Sequence, residues 1–201
     1  MMPKPFSEHE KETIRVQMRE KGRKLFEKQG LKKTSVDELT EAVGISKGAF
    51  YLFYKSKEEL FMEILEELEG DFRSRIFDIS IRPKEDARRV LARLLKSALL
   101  TWDRYPLLKN FGMPEYEYLA RKLPPERIQA HVNQDDEFVN DFVKRIKQDG
   151  VPVKASPRII SNLMKSLFFV GLHRDDLGEK NYEETMEVLA ELVAAYMIEG
   201  E

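Results

Sequence analysis

The chain has 201 residues, of which 42% are hydrophobic and 35% charged, and a formal net charge of −2. This composition indicates a folded protein with a sizeable core and argues against a disordered chain. The sequence shows no apolar run of 18 residues and no apolar stretch near its start, so we expect a cytoplasmic protein without a membrane span or secretory signal. It has no cysteine and three scattered histidines, so we predict no disulfide, metal site or cofactor.

The charge is unevenly distributed along the chain. Residues 1–60 contain 13 basic and 10 acidic side chains, whereas the remaining residues carry a net charge of −5. A slightly basic N-terminal part on an acidic remainder favours an anionic partner at that end, although an ordinary solvated surface explains the same figures.

The N-terminal third predicts three helices in quick succession. Apolar residues at helical spacing predict a first helix from Glu8 to Gln29, which Gly30 ends. Ser35 and Glu38 form a capping box that starts a second helix. Gly44-Ile45-Ser46 can end that helix, fill the corner and cap a third one, from Lys47 to about Tyr54. Two short helices joined by a glycine-containing turn are the helix-turn-helix pattern.

The rest of the chain also reads as helical, and we predict an all-α protein of about nine helices. A long helix starts at Lys57 and runs toward Phe77, and residues around Pro83 interrupt the pattern. We expect further helices over about 84–102, 125–148, 157–173 and 182–198, with short pieces over 103–123 and a loop over the sequence RDDLGEKN. The expected domains are residues 1–56 and 57–201.

Residues 34–60, TSVDELTEAVGISKGAFYLFYKSKEEL, closely resemble the DNA-binding signature of the tetracycline-repressor (TetR) family of bacterial transcriptional regulators. The features that match are Gly30, the entry Thr34-Ser35-Val36, the turn Gly44-Ile45-Ser46, and then Gly48, Tyr51, Ser56-Lys57-Glu58 and Leu60. The resemblance covers about residues 10–65. The sequence departs from the family pattern at Thr40, where alanine is usual, and at Phe53-Tyr54, where histidine or tyrosine followed by phenylalanine is more common.

The helix-turn-helix predicts a set of DNA-contacting residues. A helix that enters the major groove buries one face, here Phe50 and Tyr54, and presents small or polar side chains on the other. Lys47 suits a guanine edge and Leu52 a thymine methyl group, while Tyr51 and Lys57 resemble the family's phosphate ligands. Lys32 and Lys33 would add attraction that does not depend on sequence. The complete predicted set is Thr34, Ser35, Ser46, Lys47, Gly48, Ala49, Tyr51, Leu52 and Lys57.

The resemblance implies that the remaining residues bind a small molecule and form a homodimer through the last two helices, 157–173 and 182–198. Aromatic residues near the broken segment 103–123 favour an apolar or amphipathic effector. The predicted pocket residues are Trp102, Tyr105, Phe111, Met113, Tyr116, Phe138, Phe142 and Phe168, although residues of this kind often belong to an ordinary core.

We therefore expect a transcriptional regulator that binds a palindromic operator in double-stranded DNA as a homodimer, most simply a repressor released by its ligand. We do not expect an enzyme, because the sequence has no Gly-rich phosphate loop, no Glu-x-x-His pair and no activated nucleophile. A helical interaction protein that keeps the motif without binding an operator is the alternative.

Overall fold

The computed structural model describes residues 6–77, 86–102 and 105–200, and every regular element within these ranges is a helix. No described helix combines the length and apolar character needed to cross a bilayer. The helices are α1 (Glu8–Gln29), α2 (Val36–Val43), α3 (Lys47–Phe50), α4 (Lys57–Phe77), α5 (Ala87–Trp102), α6 (Pro106–Lys109), α7 (Met113–Lys122), α8 (Pro125–Gln148), α9 (Pro157–Leu172), α10 (Arg174–Leu177) and α11 (Glu179–Glu199).

The all-α class agrees with the sequence prediction, and two local differences account for the larger number of helices in the described ranges. The predicted short pieces after residue 103 include α6 and α7, both with proline in the first turn. The predicted loop RDDLGEKN instead contains the single turn α10. Gly178, at φ +75°, ends α10 and leads into α11.

The chain divides into two compact units, Met1–Leu68 and Glu69–Glu201. The boundary therefore lies about three turns into α4, whereas the sequence analysis placed it after residue 56. The reason is the packing of the first turns of α4, because Phe61 lies edge-on to Phe26 of α1 with ring centroids 5.1 Å apart. Leu60 and Ile64 are fully buried in the same unit.

Gly22 allows α1 to approach its neighbours closely in the first unit. A Cβ added at this position would lie 3.2 Å from Leu60 Cδ2 and 3.4 Å from both Ile64 Cδ1 and Leu39 Cδ2. Glycine in the middle of a helix costs about 1 kcal/mol relative to alanine. The close contact among α1, α2 and α4 offsets that cost and gives the helix-turn-helix a fixed support.

The second unit has its core among α5, α8, α9 and α11. Fully buried aliphatic side chains from these helices meet there, including Leu91, Ile160 and Met197. The backbone amides of Lys154 and Ala155 donate to the carbonyl of Met197 at 2.9 and 3.3 Å, which fastens the segment before α9 to the end of α11. The last helices thus form a firmly packed layer.

Candidate nucleic-acid interface

Two side-chain caps and one glycine fix the orientation of α2 and α3. Ser35 accepts a hydrogen bond from the amide of Glu38, whose carboxylate accepts in return from the amide and hydroxyl of Ser35, both at 2.8 Å. Ser46 accepts from the amide of Ala49 at 3.1 Å. Gly44 adopts the left-handed conformation at φ +82° and donates to the carbonyl of Thr40 at 2.9 Å. The predicted caps are present, and the relative placement of the two helices follows from them.

Glu38 is held in its charged form by this arrangement. Its carboxylate accepts hydrogen bonds from Gln29 and from both donors of Ser35, and these lower the pKa of Glu38 to about 2. The negative charge also lies in the first turn of α2, where the helix dipole favours it. The N-terminus of α2 is therefore a rigid feature of the unit.

The polypeptide after Phe50 presents two large side chains to solvent. Tyr51 is 52% exposed and Leu52 is 71% exposed, while Phe50 and Tyr54 are buried beneath them. The α-helix ends at Phe50 instead of continuing to Tyr54, because the amides of Leu52 and Phe53 bond three residues back, in a turn. Adjacent exposed apolar residues on a well-ordered turn mark a surface that a partner can cover.

Gly48 lies at the exposed start of α3. A Cβ added at Gly48 would meet only Ser46 Oγ, at 3.9 Å, and the residue needs no positive φ. Neither packing within the chain nor backbone conformation therefore requires glycine here. Close approach of a ligand to the backbone is one physical reason for a glycine at such a position.

Lys47 extends from α3 toward α2. Its ammonium lies 3.0 Å from the carboxylate of Asp37, and both side chains remain mostly exposed. Lys47, the residue predicted to contact a guanine, is therefore already paired with a carboxylate. The sequence did not predict that Asp37 would be its partner.

Two predicted DNA contacts are buried in the first unit. Thr34 is 0% exposed and its hydroxyl donates to the carbonyl of Gly30 at 2.8 Å, so the side chain does not lie where a phosphate could reach it. Ala49 is 8% exposed, because its small side chain faces inward beside Phe50. Ser35, Ser46 and Gly48 remain at least partly accessible.

Lys57 stabilises the turn between α1 and α2. Its ammonium donates to the backbone carbonyls of Leu31, Lys32 and Thr34 at 2.9, 3.1 and 2.6 Å. An ammonium has three hydrogens, and these three carbonyls can accept all of them. The predicted side-chain contact of Lys57 with a phosphate would have to break these bonds, so its backbone amide at the start of α4 is the better candidate.

Thr40 and Phe53, where the sequence departs from the family pattern, both have partners in the first unit. The buried hydroxyl of Thr40 donates to the carbonyls of Val36 and Asp37 at 3.0 and 2.9 Å. The ring of Phe53 packs against Phe6, with centroids 6.1 Å apart, and beneath the guanidinium of Arg15. Sequence reasoning missed this contact of the N-terminal segment, which joins residues far apart in the chain.

Four of the predicted effector-pocket residues form two aromatic groups with described ring contacts in the second unit. Phe138 and Phe142 stack at 6.4 Å against the main core, and Tyr116 meets Phe168 at 6.3 Å. Phe111 is buried, while Tyr105 and Met113 are half-buried. The side chain of Trp102 lies outside the described residues.

Within the described residues of the second unit, α4 and α8 bring together a group that could hold a metal ion. Donor atoms of Glu69, His131 and Asp135 lie within 4.8 Å of one another. Arg73 binds Glu69 at 3.3 Å and pairs closely with Asp135. Burial raises the pKa of Asp135, and the neighbouring His131 and Arg73 oppose that rise. Because Arg73 already pairs with both carboxylates, we interpret the group as an internal charge network.

Helices α9 and α11 carry exposed apolar residues. Val188 and Leu192, one turn apart on α11, are 56% and 57% exposed, and Ile159 and Phe169 of α9 are also exposed. We call these four side chains the apolar surface of α9 and α11, and exposed apolar side chains of this size suit contact with a protein partner.

Comparison with known proteins supplies an independent line of evidence. Residues 19–64 match the family model described as bacterial regulatory proteins, tetR family. The chain is 32% identical, over 61% of its length, to the uncharacterized HTH-type transcriptional regulator YuxN of Bacillus subtilis (strain 168), and the match spans 43% of that relative. The chain therefore aligns with less than half of this curated relative.

Two solved structures share the fold over nearly the whole chain. SmeT, the repressor of the Stenotrophomonas maltophilia multidrug efflux pump SmeDEF, superposes with a TM-score of 0.61 at 18% identity, covering 92% of this chain and 90% of SmeT. RolR in complex with resorcinol gives a TM-score of 0.60 at 14% identity, covering 96% and 98% of the two chains. At these identities the likeness establishes the fold.

Proposed function

We propose that the chain is a regulator of the tetR family, whose model residues 19–64 match, and that it binds a palindromic operator as a homodimer and leaves it when a small molecule binds. The exposed pair Tyr51 and Leu52, on a turn fixed by buried neighbours, is the observation that carries the DNA-binding part of the proposal. Lys47 and Gly48 lie at the start of α3, one turn before this pair.

In the proposed complex, α3 and the turn after it enter the major groove. Leu52 packs on a thymine methyl group, and Lys47 donates to a guanine. Tyr51 and the backbone amides at the starts of α2 and α4 bind phosphates. A twofold dimer would present two such surfaces about one DNA turn apart, on the order of 34–36 Å.

Selection of duplexes from a random library by the wild-type protein would provide the test. We expect enrichment of a palindromic sequence, and we expect Tyr51→Ala to weaken binding to it about tenfold, or roughly 1.4 kcal/mol. Val16→Ala is the matched control, because Val16 is another exposed apolar residue of the same unit. Equal affinities for the selected and a scrambled duplex would contradict the proposal.

The apolar surface of α9 and α11 supports the proposed dimer. These helices cover the predicted interface segments 157–173 and 182–198, and pairing of the same surface on two copies would generate a twofold axis. Burial of Val188 and Leu192 would remove their apolar area from water and stabilise the dimer.

We propose an apolar or amphipathic effector for the second unit, where the two aromatic groups lie. Resorcinol, which is present in the RolR structure, is a suitable first probe, and decanol is a second probe of amphipathic character. Trp102 is the chain's one tryptophan, so its emission would report binding near the predicted pocket.

We expect at least one of these two probes to change the emission saturably and to weaken operator binding by about 5- to 150-fold, the usual range of such coupling. A probe that binds equally well to the free and the DNA-bound protein would shift nothing. If neither probe changes the emission or the operator affinity, the expectation that the effector resembles resorcinol or decanol is wrong.

A further inference from the structure

We propose that Asp37 is a specificity-determining residue, which holds the ammonium of Lys47 and so prevents it from acting as a general phosphate ligand. The inference rests on the proposed DNA-binding function and concerns how the protein tells its operator from other DNA. Family resemblance does not supply it, because it depends on one contact between α2 and α3 in this chain.

The contact joins two rigid positions. Asp37 follows the Ser35 cap by two residues, and Lys47 directly follows the Ser46 cap. Gly44 fixes the turn between the two helices. The Lys47 ammonium lies 3.0 Å from the Asp37 carboxylate, and both side chains are more than half exposed. The backbone at each of the two residues is nevertheless fixed by a neighbouring cap.

Fold stability alone gives little reason for this pair. Solvent-exposed ion pairs contribute little to folding, and Glu38 already supplies a charge to the first turn of α2. An acidic group on a surface that meets a polyanion also repels it. An acidic residue at this position lowers the affinity for DNA of any sequence, which is useful to a protein that must find one operator.

The physical consequence is a difference between base and backbone contacts. A lysine without a partner can reach any nearby phosphate and adds affinity that does not depend on sequence. Lys47 must instead give up the carboxylate of Asp37 or share its hydrogens. The O6 and N7 acceptors of a guanine can replace the lost contact with Asp37, and they lie within reach of Lys47 only when the guanine is at the correct position in the sequence.

The test compares the affinities of Asp37→Asn and the wild type for the selected operator and for a scrambled duplex over 50 to 200 mM salt. We expect the variant to bind scrambled DNA about 3- to 10-fold more tightly at low salt, with a salt slope steeper by about one phosphate contact. Operator affinity should change less, so the specificity ratio should fall. Glu41→Gln, on the exposed part of α2, is the matched control and should leave the ratio within about twofold of the wild type.

A Lys47→Ala background isolates the role of the pair. There, Asp37→Asn should no longer steepen the salt slope, and thermal unfolding should show that each variant is folded. An unchanged specificity ratio in Asp37→Asn, or the same change of slope without Lys47, would overturn the inference. If the wild type itself prefers no duplex, the proposed function fails, which is a separate result.

Discussion

At the residue scale, Gly48 and Gly22 show how the same amino acid serves two purposes. Gly22 is surrounded by Leu39, Leu60 and Ile64 at distances where an added Cβ would be crowded. Gly48 faces open space apart from a distant serine oxygen. The chain's own packing explains the first glycine, and for the second we propose that DNA approaches the backbone closely.

We predict that Gly48→Ala preserves or slightly raises stability while weakening operator binding. Alanine favours the helix by up to about 1 kcal/mol, whereas the added methyl group occupies space that the DNA backbone or a base edge would use. Thermal unfolding and operator titration would measure the two effects separately. Gly48→Ala protein that binds as well as the wild type would show that DNA does not approach this position closely.

A second residue-scale prediction concerns Glu38, whose pKa of about 2 lies below its ordinary value of 4.5. A lowered folded-state pKa stabilises the protein above the unfolded-state value, and this contribution is lost as pH falls toward 2. We expect Glu38→Gln to flatten the dependence of the melting temperature on pH between about 2 and 5. Glu41→Gln should keep the wild-type profile.

At the element scale, the sequence analysis placed most helix ends correctly because they depend on local signals. Ser35, Ser46 and Gly30 act within four residues of themselves, so their effects can be read from spacing. The three carbonyl contacts of Lys57 join segments more than twenty residues apart. The burial of Thr34 depends on the packed core. Such contacts leave no periodic signal in the sequence.

Also at the element scale, Arg73 joins α4 to α8 through the carboxylate of Asp135, and it also pairs with the buried carboxylate of Glu69 on its own helix. Removing one partner of a largely buried pair leaves an uncompensated charge. We predict that Arg73→Ala lowers the free energy of unfolding by about 2–3 kcal/mol, as measured by urea denaturation. Arg121→Ala, which removes an exposed pair with Glu117, should change it by less than about 0.5 kcal/mol.

At the scale of the whole molecule, the proposed regulation needs both units and a second copy of the chain. The apolar surface of α9 and α11 could be anticipated from their sequence, since segment 159–172 is too apolar for a solvated helix. The ring contact of Tyr116 with Phe168 could not be anticipated, because it depends on how α7 and α9 meet in space.

We predict that Leu192→Glu yields a monomer that retains its helical content. A charge in the centre of the proposed interface would lose hydration when the surface is covered. Sedimentation velocity would measure the mass, and operator affinity should fall because one half-site contact is lost. The control is Leu177→Glu, at an exposed leucine of α10; a Leu192→Glu protein that stays dimeric would place the interface elsewhere.

The position of the boundary within α4 has a consequence for recombination between relatives. The first turns of α4 complete the core of the smaller unit, through Phe61 against Phe26 and through Arg19, which pairs with Glu63 at 3.0 Å. In a chimera joined at residue 56, the residues of α4 that pack against α1 would therefore come from the other parent. In a chimera joined after Leu68, these residues would come from the same parent as α1. Chimeras joined at the later point should fold and keep the parental operator preference.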